Sequence, residues 1–315
     1  MTATASPALQ NEELKGRQPV SRTTIHGWPS VIFGLPFSAV GVFILLLWSE
    51  KIEMSSSQTD APMWILGVIG LFFFLAGLSF VWHGLDGVRR KSRLKEAKKK
   101  MASSPWLWDY QWQAMGISEN KMKEVLRTLL IAVVFAVFMA PFHWFVYFSK
   151  DADRVPIWVN GVIGVFDLVV LALIARFFYL LVQYFKYGNS RLRFGNFPFY
   201  LGDKLSVVLV GMPSQVNEVK MDLRFVEERY EIRGSGKNRS QRVICYQRYH
   251  ENRTLKGKDI SSSRSLSLEW DLPDEPELTS SLSQRPARFW ELEVKADTPG
   301  VDYHSRFLLP VYAGG

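Results

Sequence analysis

Four stretches of the chain are apolar around the whole circumference of a helix, and after residue 187 the periodicity changes from helical to alternating. The apolar stretches are Pro29–Trp48, Pro62–Trp82, Val125–Phe148 and Ile157–Phe185. Each holds the ~20 residues needed to cross a hydrocarbon core of ~30 Å. A soluble core helix of that length would keep a polar stripe, and these keep almost none. Aromatic residues mark their ends. Trp48, Trp64, Trp144, Tyr147 and Trp158 fall at one set, and Trp28, Trp82, Tyr179, Tyr184 and Tyr187 at the other, as an interfacial belt requires.

Beyond Asn189 the period is two. Val219, Met221, Leu223 and Phe225 alternate with Lys220, Asp222 and Arg224, and Trp290, Leu292 and Val294 alternate with Glu291, Glu293 and Lys295. Such alternation describes strands with one buried and one polar face. Lys204–Val210, Arg242–Tyr249, Ser265–Trp270 and Ser305–Tyr312 complete the set, separated by turn signals at Gly234–Gly236, Leu272–Asp274 and Thr298–Gly300. The expected fold class is therefore four transmembrane helices plus an all-β, antiparallel β-sandwich at the C-terminus, since short strands without helical period favour that architecture. The expected divisions are a flexible tail over 1–27, a membrane domain over 28–187 with a basic, Trp-rich loop at 85–123, and a β domain over 188–315.

Charge orients the helices. Residues 89–123 carry ten basic and three acidic residues, whereas residues 49–61 sum to −2 and 149–156 to zero. The positive-inside rule places the long loop, and with four spans both termini, in the cytoplasm; a bacterial inner membrane is the expected location. Of the formal net charge of +8, residues 1–187 supply 19 basic against 13 acidic side chains, and the remainder 19 against 17. The basic excess thus belongs to the membrane part, which argues against a nucleic-acid partner.

Within the loop, Arg89, Arg90, Lys91, Arg93, Lys95, Lys98, Lys99 and Lys100 extend the second helix. They serve as a topology determinant, as a contact for anionic lipid headgroups, or as both; each basic residue near such a surface is worth ~1 kcal/mol. Pro105-Trp106-Leu107-Trp108-Asp109-Tyr110-Gln111-Trp112 follows. Ser104–Pro105 is a helix-start signal that would put Trp108, Trp112 and Met115 on one face, while the aromatic alternation also fits an extended segment. Trp106, Trp108 and Trp112 either lie in the membrane interface or pack against the β domain.

Ionisable residues inside a span are costly and face a bundle interior. Asp167 lies ten residues into the fourth span, ~15 Å deep, on one face with Asn160 and Gly164. Arg176 is 2.5 turns further on and points away, so its expected course is towards the headgroups. His143 on the third span is the nearest partner for Asp167. This pair implies either a proton or ion path or a polar contact fixing helix packing. Gly34, Ser38 and Gly41, with Gly67 and Gly70, offer small faces for close helix approach, within one molecule or in a homo-oligomer.

Composition adds little chemistry. Aromatics make up 14% of the chain, with 22 Phe and 11 Trp, which suits a membrane protein. The one cysteine, Cys245, excludes an intramolecular disulfide and a Cys-rich metal site and suits a reducing compartment. Gly234–Lys237 lacks the spacing of a phosphate loop and reads as a hairpin turn. Glu269, Asp271, Asp274, Glu275 and Glu277 lack calcium-loop spacing and read as a solvated connection. His304 near Asp302 has no nucleophile setting. No metal, cofactor or catalytic residue is expected, and an enzyme is not the expected class.

The runs Leu266–Thr279, Phe289–Tyr303 and Phe307–Tyr312 resemble the strand rhythm of arrestin-like β-sandwiches. With Pro105–Trp108 before the third span, the chain resembles more closely a group of uncharacterised bacterial four-span inner-membrane proteins with such a cytosolic domain. The resemblance covers residues 105–112 and 200–312 and brings no catalytic residue. It implies a binding or scaffold module with a cytosolic or membrane protein partner; the competing expectation is a channel or transporter subunit using Asp167 and His143.

Overall fold

A computed structural model describes residues 11–20, 27–49, 62–150, 152–213, 216–234, 239–256 and 265–314. They form two compact units, each considered by itself. One comprises Ile25–Lys91 and Met122–Leu181; the other joins Ser92–Lys121 and Val182–Gly315 to the N-terminal segment.

The first unit contains most of four helices, α1 (Trp28–Trp48), α2 (Met63–Lys100), α3 (Lys121–Phe148) and α4 (Ile157–Tyr187). All four are long and apolar enough to cross a membrane, so this is a multi-pass membrane protein. Their outward positions are large and apolar, among them Ile32, Leu75, Leu130, Leu168 and Phe178, which suits contact with lipid tails. Lipid tails compete for such surface, so helices associate in a membrane mainly by close packing. Here α1 and α2 pack at glycines. A Cβ added to Gly34 would lie 2.7 Å from the Gly77 carbonyl oxygen, and one added to Gly41 would lie 2.6 Å from the Phe74 Cα. Gly84 likewise abuts Val31 and the Gly27 carbonyl. The Ser30 hydroxyl donates to the Phe80 carbonyl at 3.0 Å across the same seam. Phe72 and Phe138 bring α2 against α3, with ring centroids 4.5 Å apart, and Met139, Val146 and Ile163 form the contact between α3 and α4.

The second unit is built on antiparallel sheets. The strands are β1 (Glu12–Glu13), β2 (Ile117–Ser118), β3 (Arg191–Phe194), β4 (Phe199–Tyr200), β5 (Lys204–Val210), β6 (Glu218–Arg233), β7 (Ser240–Lys256), β8 (Ser265–Asp271), β9 (Arg288–Asp297), β10 (Tyr303–Leu309) and β11 (Val311–Tyr312). A five-stranded sheet has the order β1-β7-β6-β9-β10, and a four-stranded sheet the order β2-β3-β5-β8. β4 and β11 add a short parallel pair. The inward residues of both sheets share one core: Leu205, Val207, Leu209, Leu268 and Trp270 from one, Met221, Leu223, Phe225, Trp290, Leu292 and Phe307 from the other. The indole of Trp290 donates to the Leu278 carbonyl at 2.6 Å, which satisfies its one polar atom in that core.

Several expectations need correction. The tail expected over 1–27 is not free where it is described. Glu12 and Glu13 pair with Gln247 and Tyr246 as β1, because Leu14 and Val20 find an apolar pocket on the outer face of the sheet. The Trp-rich segment forms neither a long helix nor a strand. It makes a 3-10 turn at Pro105–Leu107 and ends in β2, which pairs with β3. Both segments group with the sheets, so the unit boundaries differ from the expected cuts at 27 and 188. The last turn of α4 groups there too. Its Gln183 donates to the Asp302 carbonyl at 3.1 Å, and Tyr187 hydrogen-bonds Thr298 and Val301. The turn expected at Gly234–Gly236 lies largely outside the described residues, but β6 and β7 pair up to Arg233 and Ser240 on either side of it.

Candidate functional site

The polar face of the five-stranded sheet is the most developed cluster of charged side chains. Even-numbered residues of β6 and odd-numbered residues of β9 point outward, opposite the core. Direct opposition on this face is mixed: Asp222 lies across from Glu293 and Lys220 across from Lys295, whereas Arg224 lies across from Glu291 and Arg306 across from Glu293. The charges pair across, along and diagonally between the strands. Arg224 reaches Glu293 at 2.6 Å and Asp222 at 2.9 Å, while Glu293 also receives Arg306 and His304, each at 2.8 Å, and Lys295 at 3.1 Å. His250 and Asn252 hold Asp222 at 2.7 and 2.8 Å. Burial alone would favour the neutral carboxyls. The histidine, asparagine and arginine contacts outweigh it, holding Asp222 down to about 2 and Glu293 well below the ordinary carboxylate range.

Past Phe225 the same outer face becomes apolar, with Val226, Cys245, Leu282, Ala287 and Phe289 forming a second small core. Residues 11–20 cover it. The Leu14 amide donates to the Cys245 carbonyl at 2.9 Å, the Arg17 guanidinium meets Glu291 at 2.5 Å, and the Val20 amide donates to Glu228 at 2.5 Å. Glu228 and Glu291 are each only 1% exposed. Burial pushes the Cys245 thiol up to about 12, so it is an inert packing group. This lined and occupied groove was not anticipated from sequence. The visible signal was weak: two glutamates, Glu228 and Glu291, at outward positions of otherwise ordinary strands.

In the membrane unit the structure brings together the pair expected there. His143 Nε2 lies 3.0 Å from an Asp167 carboxylate oxygen. His143 Nδ1 faces the Met139 carbonyl at 2.9 Å, and a carbonyl only accepts, so Nδ1 carries a hydrogen. The contact on the other nitrogen therefore needs a second proton, held by the imidazole or by the carboxyl. Asn160 hydrogen-bonds neither group. Arg176 turns away from Asp167, as its spacing requires, and lies 3.4 Å from Glu124 of α3.

Arg89, Arg90, Lys91, Arg93, Lys98, Lys99 and Lys100 all lie on the exposed or half-exposed surface of α2. The three tryptophans have protein partners. Trp106 packs edge-on against Tyr200 at 5.9 Å, Trp108 donates to the Met101 carbonyl at 2.9 Å, and Trp112 donates to the Tyr312 hydroxyl at 2.8 Å. Buried Asp109 locks this docking by accepting the Leu282 and Ser283 amides at 2.9 and 2.8 Å. Of the two readings of the segment, packing against the β unit is the one these contacts describe. His304 is engaged by Glu293 and not by Asp302, and the acidic residues Glu269, Asp271, Asp274, Glu275 and Glu277 are all exposed. Among the described residues no group of His, Cys, Asp and Glu has the arrangement of a metal site.

No family model matches the chain, and no curated protein matches it. Two crystal structures of a β-glucosidase from Listeria innocua, in complex with glucose and with gluconolactone, are similar at 11% identity over 39% of this chain and 16% of that one, each with a TM-score of 0.16. The match therefore spans a small part of those chains, and a likeness this slight carries no functional argument.

Proposed function

We propose that the protein is a bacterial inner-membrane anchor for a cytosolic β-sandwich that binds another protein. The two sheets sharing one core support the sandwich, and the strand rhythm supports its arrestin-like character. The net-positive loop between the second and third spans supports a cytoplasmic location for both termini and the β module. The carrying observation is β1. A remote segment of the chain lies along the edge of β7 and joins the sheet through its backbone, so this edge recruits extended peptide by strand addition. The basic end of α2 adds a contact for anionic headgroups.

The test is co-purification. Full-length protein, extracted gently, brings down a stoichiometric partner that disappears when residues 189–315 are removed. If equal amounts of every co-purifying protein remain after that removal, the reading fails.

One observation favours a second reading. A proton-sharing His143–Asp167 contact inside the spans suits a channel or transporter subunit, which would lose a measured proton-coupled flux on Asp167→Asn while assembling normally. Against it stands the single pair, since a transport path generally needs further polar groups.

A further inference from the structure

We propose that the groove filled by residues 11–20 is a binding site for a short, arginine-bearing segment of a partner protein, and that the chain's own segment occupies it as a displaceable stand-in. This deepens the binding-module reading and rests on it. The seated segment specifies the ligand chemistry in three parts. The first is a short antiparallel ladder on β7, with Glu12 opposite Gln247 and Glu13 opposite Tyr246, continued by the Leu14 amide on the Cys245 carbonyl. The second is a pair of apolar anchors, Leu14 and Val20, in the pocket of Val226, Cys245, Leu282, Ala287 and Phe289. The third is a guanidinium between them. Arg17 places Nε and Nη2 on Glu291 at 3.1 and 2.5 Å, and its guanidinium carbon lies 5.6 Å from the centre of the Phe289 ring. The recognised order is leucine, two residues, arginine, two residues, valine. A lysine satisfies it poorly, because a point charge cannot make the forked contact.

The receptor half is rigid. Glu228, Cys245 and Glu291 sit on β6, β7 and β9, three neighbouring strands of one sheet. The occupant half is held lightly by its backbone, with only two residues in ladder register. Between the anchors it turns at Gly16 (φ 77°), and among the described residues no strand pairs with β1 on its outer side. Its attachment depends on side chains that another peptide can supply. Leaving the groove empty would strand Glu291 at the protein surface beside an open apolar pocket, with Arg224 4.0 Å away as its remaining cation. A vacated groove therefore favours prompt refilling by a segment of the same chemistry. A tethered occupant competes at high effective concentration, so a partner's segment binds with an apparent affinity reduced by the fraction of time the groove is closed.

The experiment uses the full-length protein in lipid nanodiscs and a fluorescent peptide with the sequence Asn11–Val20. The peptide is expected to bind the wild-type chain and, at saturation, to raise hydrogen exchange at the Leu14 amide of the chain's own segment. Arg17→Ala in the chain should tighten peptide binding about tenfold or more by loosening the stand-in. The same change in the peptide, or Glu291→Gln added to the Arg17→Ala chain so that the stand-in is already loosened, should weaken it by a similar factor. Should Arg17→Ala disturb folding, Arg17→Lys gives an intermediate gain, with near-ultraviolet dichroism reporting intact packing. The proposal is overturned if the Leu14 amide stays protected at saturating peptide, or if Glu291→Gln in the Arg17→Ala chain leaves binding unchanged. A partner that co-purifies as well with the Arg17→Ala, Glu291→Gln chain as with Arg17→Ala overturns this site and leaves the binding-module reading standing. Peptide exchange without any co-purifying partner does the reverse.

Discussion

Glu293 shows what a side chain's neighbours can do to a simple pattern. Its alternation with Leu292 and Val294 marks it as outward, and outward ordinarily means solvated. Yet it is 1% exposed and is met by Arg224, His304, Arg306 and Lys295. The direction of the side chain was legible in the sequence; its burial was not, because the covering groups come largely from the neighbouring strands β6 and β10. Truncating Glu293 to alanine leaves several partly buried cations without their shared anion and should cost about 3–5 kcal/mol in denaturant unfolding. Lys295→Ala, at a half-exposed partner, should cost under about 1 kcal/mol. Acid should act through the same carboxyls. Asp222 drops from 3.8 unfolded to about 2 folded, and Glu293 is also lowered from 4.5. Their contribution is present above the unfolded values and is lost as pH falls through the folded ones. The unfolding midpoint should therefore hold steady down to about pH 5 and decline from there towards pH 2. In Asp222→Asn that decline should be shallower; an equally steep decline would show that other groups govern it.

At the scale of elements, the helices were the most legible feature and their packing only partly so. Gly34, Ser38 and Gly41 were recognisable as a small face, and the structure uses it. On α2, Gly67 and Gly70 were also recognisable and face α1, but Gly77 and Gly84 were harder to see, because Gly70, Gly77 and Gly84 recur every seven residues and not every three or four. Gly77 is the tightest of them, since a Cβ there would collide with the backbone of Ser38 and the Gly34 carbonyl. Gly77→Leu should force α1 from α2 and lower the yield of monodisperse protein severalfold, as read by fluorescence-detected gel filtration. Gly161→Leu on α4 is the control. A Cβ at Gly161 meets nothing within 4 Å, so that variant should match the wild type if the close approach of α1 and α2 is what matters. The Trp-rich segment failed to resolve for a different reason. Alternating aromatics suit a membrane interface and a protein groove equally, and the choice was made by Asp109, Tyr200 and Tyr312, of which two lie about 100 or 200 residues away.

For the whole molecule, the change of periodicity near residue 188 falls close to a division between the two compact units, at Leu181–Val182, but the sheet-bearing unit also takes in segments that precede it. The sheets take β1 from the N-terminal segment and β2 from the connection between α2 and α3, and they are closed at one end by the last turn of α4. These additions were not legible in the sequence. A period-two pattern identifies strands of four or more residues, and the two decisive additions are two residues each. The consequence can be measured. A soluble fragment spanning 188–315 carries the main core yet loses Leu14, Arg17, Val20, Trp106 and Trp112. Buried Glu228 and Glu291 then lose partners, and the apolar pocket around Phe289 opens to water. That fragment should unfold at a distinctly lower denaturant concentration than the same β unit within the full chain, and it should bind an apolar dye. Fusing residues 104–120 to its N-terminus should recover part of the difference, and adding the Asn11–Val20 peptide in trans should recover more. If the bare fragment is as stable as the full-length unit, the contributions of β1 and β2 are decorative, and the boundary at 188 is the true one.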